Sequence, residues 1–339
     1  MANTDDRMSL KIKIRNRFLL FGIGALAVFL VLGLFFLYLI CRSSPYVPRE
    51  NIIVKRTGAG PSFAQQLVDC GIAPNAILAH ATIQLLKQLG FIVKSGEYEL
   101  PESVSLLDAI RILSKGNVLV HKITIPEGLP MILVIDLLNK NKFLIGTISE
   151  IPEEGTLLPD TYIFRYPTTR HGIITMAKNA MRRFMKREWP RKSANCFLKT
   201  PREAIILASI VEKETSCEQE KIAGIFLNRL RKKMRLQSCP TVIYALNRGL
   251  SLGRKITLAD LRVDSPYNTY RNHGLPPTPI TNPGAKSIIA VLHPAVTDYL
   301  FFVLGRDKTH VFSRTFHEHK MNKEMSKKYA KNNDTVNEP

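Results

Sequence analysis

The stretch "TPREAIILASIVEKE", residues 200–214, determines the centre of the fold. Thr200 precedes a proline and Glu203 follows three residues later, which is the pattern of a capping box at a helix N-terminus. Residues 204–211 are apolar apart from Ser209, so this part of the helix offers no polar face to solvent. The pattern therefore predicts a helix that is buried nearly all round.

Two glutamates end this predicted helix. Glu212 and Glu214 stand on either side of Lys213. Residues two apart on a helix are separated by about 200°, so the two carboxyl groups point to nearly opposite sides. They cannot form the pair of carboxylates that ordinary glycosidases place across one bond. At most one lines a given cleft, where burial would favour its protonated form and make it a general acid near neutral pH.

A second helix is predicted directly after the first. Ser216 is the expected N-cap of this helix. Its apolar stripe consists of Ile222, Ile225, Phe226 and Leu230, spaced for one buried face.

The region 236–285 has a different composition, rich in proline, glycine, asparagine and tyrosine. Such a composition predicts loops, and loops beside a rigid helix often surround a ligand. Tyr267 and Tyr270 offer flat apolar faces with a polar tip, which suits a sugar ring. Composition alone leaves an ordinary structural loop as an equal alternative.

The N-terminal region contains an uncharged run of 23 residues, 18–40. As a helix it is long enough for a bilayer core of roughly 30 Å. Basic residues dominate the segment before it, so the positive-inside rule predicts a cytoplasmic tail at 1–17 and an external chain after 41. A cleaved signal peptide is the alternative, but its apolar region would be about 7 to 15 residues long. We therefore expect an uncleaved single-pass anchor.

The fold class predicted for the whole chain is α+β. A linker is expected at 41–56 and a small α/β module at 57–125, with a helix that begins at Ser103 or Ser105. Residues 126–199 form a mainly helical connecting region, whose last helix is basic and amphipathic. The domain built on the buried helix then covers 200–335 and includes a short β element near its end.

Composition limits the classes of function. The 339-residue chain has a formal net charge of +20, which indicates anionic surroundings. Nucleic acid is not an expected partner, because no aromatic and basic motif is present and the domain is predicted to lie outside the membrane. The sequence also lacks a P-loop, a dinucleotide-binding glycine motif and a serine hydrolase elbow.

No metal or other cofactor is expected. His310, His317 and His319 fit no common zinc spacing. The five cysteines are not spaced as a disulfide framework, so we expect buried free thiols, although Cys217 and Cys239 could pair in an oxidising compartment.

An ordered series of motifs resembles the endolytic murein transglycosylases, the MltG or YceG-like family. The series runs through "ITIPEG" at 123, "EGTLLPDTY" at 154, "LASIVEKET" at 207, "FLNRLRKKMRLQS" at 226, "PTVIYAL" at 240, "DSPYNTYR" at 264, "GLPPTPITNPG" at 274, "HPA" at 293, "DYLFFV" at 298 and "HVFSRT" at 310. With the anchor, the resemblance covers most of the chain from 18 to 320.

The resemblance implies a lyase of cell wall biogenesis and degradation, with a single-pass anchor in the inner membrane and a periplasmic catalytic domain. The module at 57–125 would be LysM-like. The implied reaction is non-hydrolytic cleavage of the MurNAc-β-1,4-GlcNAc bond of nascent glycan strands, leaving 1,6-anhydro-MurNAc ends. The enzyme would act as a terminase of strand elongation, and peptidoglycan synthases (penicillin-binding proteins) are the implied protein partners.

The resemblance assigns the catalytic acid to Glu214, the second glutamate of the E-K-E motif. The residues implied to hold the sugar are Gln237, Ser238, Thr241, Tyr267, Asn268, Tyr270 and Arg271. Two alternatives remain for Glu212, which either has a structural role or tunes Glu214 electrostatically.

Two positions depart from the family pattern. Cys239 stands where relatives commonly have Asp, and Thr278 stands where they commonly have Gly. These departures motivate an alternative function, that of a membrane-anchored peptidoglycan-binding scaffold without turnover. A hydrolase that uses both glutamates is a third alternative, which the 200° separation disfavours.

Overall fold

The computed structural model describes residues 5–44, 52–54, 62–305 and 309–334. The chain divides into two compact units, Met1–Val120 and His121–Pro339. The boundary lies slightly before residue 125, where the first module was expected to end. Helices and short two-stranded sheets occur in both units, which confirms the α+β class.

The first unit contains four helices and two strands among its described residues. They are α1 (Asp5–Cys41), β1 (Ile52–Val54), α2 (Phe63–Asp69), α3 (Ala76–Gln88), β2 (Gly96–Tyr98) and α4 (Leu106–Lys115). The two strands pair antiparallel, with Ile52 opposite Tyr98. The stretch Leu19–Cys41 of α1 has a mean hydropathy of 2.8 and is long and apolar enough to cross a membrane, as predicted for 18–40.

Side-chain caps fix the helix starts in this unit. Ser105 is the cap of α4, accepting a hydrogen bond from the Asp108 backbone N–H at 3.1 Å. The helix ends at Gly116, whose φ of +76° is the left-handed conformation that favours glycine. The sequence left Ser103 and Ser105 open, and Ser103 instead donates to the Ser44 carbonyl.

The second unit contains seven α-helices, two short 3-10 helices (Trp189–Arg191 and Asp260–Arg262) and six strands among its described residues. The helices are α5 (Met131–Lys140), α6 (Arg170–Glu188), α7 (Pro201–Glu214), α8 (Gln219–Arg231), α9 (Cys239–Asn247), α10 (Ala285–Leu292) and α11 (Phe316–Asp334). The strands are β3 (His121–Thr124), β4 (Leu144–Ile145), β5 (Thr161–Phe164), β6 (Thr168–Thr169), β7 (Phe301–Leu304) and β8 (His310–Ser313). β3 pairs antiparallel with β5, β4 parallel with β6, and β7 antiparallel with β8.

Helix α7 is the centre of this unit, as the opening stretch predicts. Its residues 206–211 are all buried, and it packs against α8 and α10. The Ser209 hydroxyl donates to the Ile206 carbonyl and accepts from the Ile280 backbone N–H at 3.0 Å. The one polar side chain of the apolar run is therefore satisfied inside the core.

The N-terminus of α7 confirms Thr200 as its cap. Its hydroxyl accepts from the Glu203 backbone N–H at 3.2 Å. The Glu203 carboxylate, however, accepts from the Lys199 N–H at 2.6 Å, one residue before the cap. The reciprocal bond of a capping box is thus displaced by one residue.

Asn282 joins three separate segments. Its Oδ1 accepts from the backbone N–H groups of Gly155 at 3.1 Å and Leu157 at 3.3 Å. Its Nδ2 donates to the Leu129 carbonyl at 3.0 Å, and the residue is fully buried. The close packing of Gly155 against Pro279 requires glycine at 155, because a Cβ there would lie 2.6 Å from the Pro279 side chain.

Two local predictions were wrong. Ser216 is not the cap of α8: that helix begins after Glu218, and the Thr215 hydroxyl accepts the Cys217 N–H at 3.1 Å. Residues 239–247, expected to be loop, form α9. The proline early in α9 suits a first helical turn, and the buried Thr241 and Val242 give the helix a packed face.

Candidate active site

Glu214 is the last residue of α7 and is partly exposed, in contrast to the buried run before it. Its Oε1 accepts a hydrogen bond from the Ser238 hydroxyl. Burial raises the pKa of Glu214 to about 7, while Ser238 and the Arg229 guanidinium act in the opposite direction. A carboxyl group with this pKa can both donate and accept a proton near neutral pH.

Ser238 is held in place from two sides. It is the N-cap residue of α9, and its backbone N–H donates to Thr269 Oγ1 at 3.0 Å. Thr241 Oγ1 bonds the Ser238 carbonyl at 2.7 Å and lies 2.8 Å from Thr269 Oγ1. The Gln237 N–H donates to the Thr269 carbonyl at 3.1 Å. These bonds fasten the start of α9 to the tyrosine-bearing loop.

Arg229 is a functional candidate that the sequence reasoning missed. It is 6% exposed, and it donates to the Leu300 carbonyl at 2.6 Å and the Leu236 carbonyl at 2.7 Å. Its charge lowers the pKa of Glu214. A cation three residues after Phe226, in line with the apolar stripe of α8, was the signal that could have revealed it.

The two tyrosines expected to face a sugar are each in contact with a position that departs from the family pattern. The Tyr270 hydroxyl lies 3.1 Å from Cys239 Sγ, and the Tyr267 hydroxyl lies 2.8 Å from Thr278 Oγ1. The ring of Tyr267 also packs against Tyr244, with centroids 4.9 Å apart. Burial, followed by the Cys239 contact, raises the pKa of Tyr270. Its hydroxyl therefore stays protonated.

The other expected sugar-binding residues occupy different environments. Asn268 is fully buried, and its amide donates to the carbonyls of Leu261 at 3.0 Å and Val263 at 2.8 Å. Thr241 is also fully buried, so both residues hold the loops rather than line the surface. Gln237 and Arg271 are exposed, and Arg271 donates to the Arg262 carbonyl at 3.0 Å.

Glu212 points away from Ser238. Its Oε2 accepts from the Gly284 N–H at 2.9 Å and the Ser287 hydroxyl at 2.7 Å, both at the N-terminus of α10. A carboxylate there is stabilised by the unpaired N–H groups and by the helix dipole. The two glutamates therefore have separate partners, as their 200° separation predicts.

A cavity of about 240 Å³ lies beside this network. It is lined by Lys213 of α7, Pro240 and Ile243 of α9, and Pro130, Gly249, Leu250, Ser251 and Ile280. A larger cavity of about 740 Å³ lies against α6 and includes none of the residues that contact Glu214. The chemistry of the carboxyl group, rather than cavity volume, identifies the candidate active site.

Histidines and cysteines form no metal-binding cluster in the part of the chain that the structure describes. No group of three or more His, Cys, Asp or Glu side chains there is arranged to hold a metal ion. His310 lies 3.0 Å from Glu218, and all five cysteines are free thiols. Only Cys196 is buried, whereas Cys217 and Cys41 are exposed, so the expectation of buried thiols is wrong for those two.

The fold and the site define an α+β protein with one glutamate of raised pKa at the tip of a buried helix. The model of the YceG-like family matches residues 52–325, so the chain belongs to that family. It is 39% identical over 179 residues to the endolytic murein transglycosylase of Bacillus subtilis (strain 168), covering 51% of this chain and 48% of that protein.

Two further relatives support the same family. The endolytic murein transglycosylase of Streptococcus pneumoniae serotype 2 (strain D39) is 29% identical over 261 residues, which is 62% of this chain and 46% of that protein. A crystal structure of a putative YceG-like protein from Listeria monocytogenes has a TM-score of 0.50 and 29% identity, covering 80% of this chain and 98% of that one. The chain spans about half the length of the curated relatives it matches.

Proposed function

We propose that this protein is a peptidoglycan lytic transglycosylase, a lyase that cleaves nascent glycan strands at the MurNAc-β-1,4-GlcNAc bond and leaves 1,6-anhydro-MurNAc ends. The observation that carries the proposal is the state of Glu214, a lone carboxyl group with a pKa of about 7 held by the Ser238 hydroxyl. Relatives that share up to 39% of their aligned residues with this chain are endolytic murein transglycosylases.

One carboxyl group serves for both proton transfers. Protonated Glu214 donates its proton to the glycosidic oxygen as the bond breaks, and the 2-acetamido carbonyl oxygen of the sugar bonds to the anomeric carbon. The Glu214 carboxylate then takes the proton of the C6 hydroxyl, whose oxygen attacks the anomeric carbon. The bond from the acetamido oxygen to that carbon breaks, which restores the acetamido carbonyl and closes the anhydro ring. Water takes no part, so no second carboxylate is needed to activate it.

In this proposal some of the surrounding residues contact Glu214 or the sugar, and the others hold the site in place. Ser238 orients Glu214, and Gln237, Tyr267, Tyr270 and Arg271 contact the sugar. Thr241 and Asn268 hold these loops from within. Glu212 fixes the end of α7 against the N-terminus of α10.

The remaining parts of the molecule fit this role. The order β1, α2, α3, β2 with antiparallel strands supports a LysM-like, glycan-binding first unit. The apolar helix α1 would anchor the chain in the inner membrane with its catalytic unit in the periplasm. There it would act as a terminase beside peptidoglycan synthases.

Muropeptide analysis by mass spectrometry tests the proposal. The full-length protein, Glu214→Gln and the exposed control Glu220→Gln are incubated with uncrosslinked glycan strands. We expect anhydro-muropeptides from the wild type and from Glu220→Gln, and none from Glu214→Gln. Reducing ends instead of anhydro ends would indicate a hydrolase.

The contacts of Cys239 and Thr278 with the two tyrosines favour one second candidate. A scaffold that binds glycan without turnover would retain the cleft while these contacts alter it. Strands bound by the wild type without any product would support this scaffold and refute the lyase.

A further inference from the structure

The cavity of about 740 Å³ in the second unit is separate from the candidate active site. Its volume lies within the roughly 300–1,000 Å³ of small-molecule sites. Its floor is apolar and consists of Met181, Met185, Trp189, Ile205 and Pro279. A floor of this kind suits a hydrocarbon chain better than a sugar, which needs polar partners.

The rim of this cavity is basic. Lys178, Arg182 and Lys186 line it at intervals of four residues, so they form one row along α6. Among the described residues, no ion pair involves any of these three side chains. Arg182 donates to Asn179 Oδ1 at 3.2 Å, a neutral partner.

The acidic groups of the rim do not neutralise the positive charge of this row. Glu153 pairs with Arg202, also on the rim, at 3.2 Å. Glu154 accepts from the Met131 N–H, but its Oε2 is buried and has no hydrogen-bond partner among the described atoms. Burial raises its pKa to about 7, so a good part of it is uncharged near neutral pH. The row on α6 therefore keeps an excess of positive charge.

We propose that this cavity binds a single-chain lipid phosphate, with the hydrocarbon chain against the Met181, Met185 and Trp189 floor and the phosphate at the row Lys178, Arg182 and Lys186. The occupant must be apolar at one end and anionic at the other, because the cavity has both environments side by side. A chain anchored by α1 would meet such amphiphiles in the membrane around it. The proposed binding does not depend on the lyase activity.

Trp189 supplies a direct readout, because it is the only tryptophan of the sequence and lies on the floor of the cavity. The full-length protein is placed in phosphatidylcholine nanodiscs with a tryptophan-free scaffold and titrated with decyl phosphate. Nanodiscs without the protein serve as the control for partitioning of decyl phosphate into the lipid. We expect a saturable change in Trp189 emission.

Charge-reversal variants locate the phosphate. In the double variant Lys178→Glu and Arg182→Glu the apparent affinity should fall roughly tenfold or more. Arg183→Glu, an exposed position on the same helix that does not line the cavity, is the matched control and should keep the wild-type affinity. Equal weakening in both would mean general attraction to a basic protein and would overturn the proposal.

Three further ligands separate the two ends of the occupant. Decanol and inorganic phosphate should each bind at least tenfold more weakly than decyl phosphate, and decyltrimethylammonium should give no saturable change. A response to decanol equal to that of decyl phosphate would show that the cavity binds only through its apolar surface. An equal response to inorganic phosphate would show that it is only an anion site. Either result, or no saturable response to decyl phosphate, would overturn the proposal, while anhydro-muropeptide release by the same sample reports separately on the proposed lyase.

Discussion

The Ser238 hydroxyl is the closest polar partner of Glu214, and its role can be tested at the scale of one atom. Because it donates to the carboxylate form, it lowers the pKa that burial raises. It also fixes the direction in which the carboxyl group points. The effect on the pKa should change the pH dependence of the rate, whereas the effect on the direction of the carboxyl group should change the rate itself.

Ser238→Ala should slow anhydro-muropeptide release by roughly 10-fold to 100-fold, the range for losing a hydrogen bond to a charged group. The remaining activity should persist to higher pH than in the wild type, because the pKa of Glu214 rises when its donor is removed. The measurement is the pH dependence of the initial rate. Ser216→Ala, an exposed serine just beyond α7, is the control. A lower rate with an unchanged alkaline limit would show that Ser238 does not tune the acid.

Helices and loops of the second unit are connected by buried polar side chains, and Asn282 is the clearest case at the scale of elements. Its amide bonds the backbone of Gly155, Leu157 and Leu129, which come from two segments far away in sequence. Buried backbone groups that lose their partners are costly. The segments at 129 and 155–157 therefore depend on this residue for the partners of their backbone groups.

Asn282→Ala should lower the free energy of unfolding by about 2–4 kcal/mol, since it leaves buried N–H and carbonyl groups unpaired. Urea unfolding of the full-length protein in nanodiscs measures the change. Asn247→Ala removes only one exposed contact, 3.3 Å from the Ser251 carbonyl, and should change stability little. Similar losses in the two variants would contradict the proposed role of the buried amide.

The stability of the whole molecule should depend on two carboxyl groups of the second unit, Glu154 and Glu214, whose pKa values burial raises from 4.5 to about 7. Below pH 4.5 both are protonated in the folded and the unfolded chain. Between pH 4.5 and about 7 the unfolded chain releases these protons while the folded chain retains them, so stability falls as pH rises through this window. Above about pH 7 the stability contributed by these two protonated groups is fully lost.

Glu154→Gln should reduce the fall in melting temperature between pH 4.5 and pH 8. The amide remains neutral throughout and can still accept from the Met131 N–H. Thermal unfolding at several pH values measures the effect, for which about 1 kcal/mol corresponds to roughly 2–4 °C. Glu153→Gln, whose side chain is 68% exposed, is the control. An unchanged pH dependence in Glu154→Gln would show that this carboxyl group is not protonated in the folded protein.

The membrane orientation of the whole molecule can be tested with a native cysteine. Cys217 is exposed in the second unit, for which we propose a periplasmic location. A membrane-impermeant maleimide should therefore label the protein in intact spheroplasts. Cys41 is the other exposed thiol, so the comparison is made in Cys41→Ser, where the further change Cys217→Ser should remove most of the label. Labelling of Cys217 only after permeabilisation would place the second unit in the cytoplasm.

Features that depend on local order along the chain could be predicted without the structure. Three features follow from neighbours along one helix, whose geometry is fixed. They are the apolar runs of α1 and α7, the Thr200 cap, and the 200° separation of Glu212 and Glu214. The motif series also indicated the family. The capping rule failed at Ser216. The helix begins after Glu218 instead, whose carboxylate accepts a tertiary hydrogen bond from the His310 backbone N–H and lies 3.0 Å from the His310 ring.

Contacts between residues far apart in sequence became visible only in the folded molecule. It brought Ser238 and Arg229 to Glu214, gave Asn268 and Thr241 to the interior, and joined Asn282 to the loop at 155–157. It also placed a basic row above the apolar floor around Trp189. The pKa of Glu214 depends on this arrangement, because desolvation and charge act through space and cannot be read from spacing along the chain.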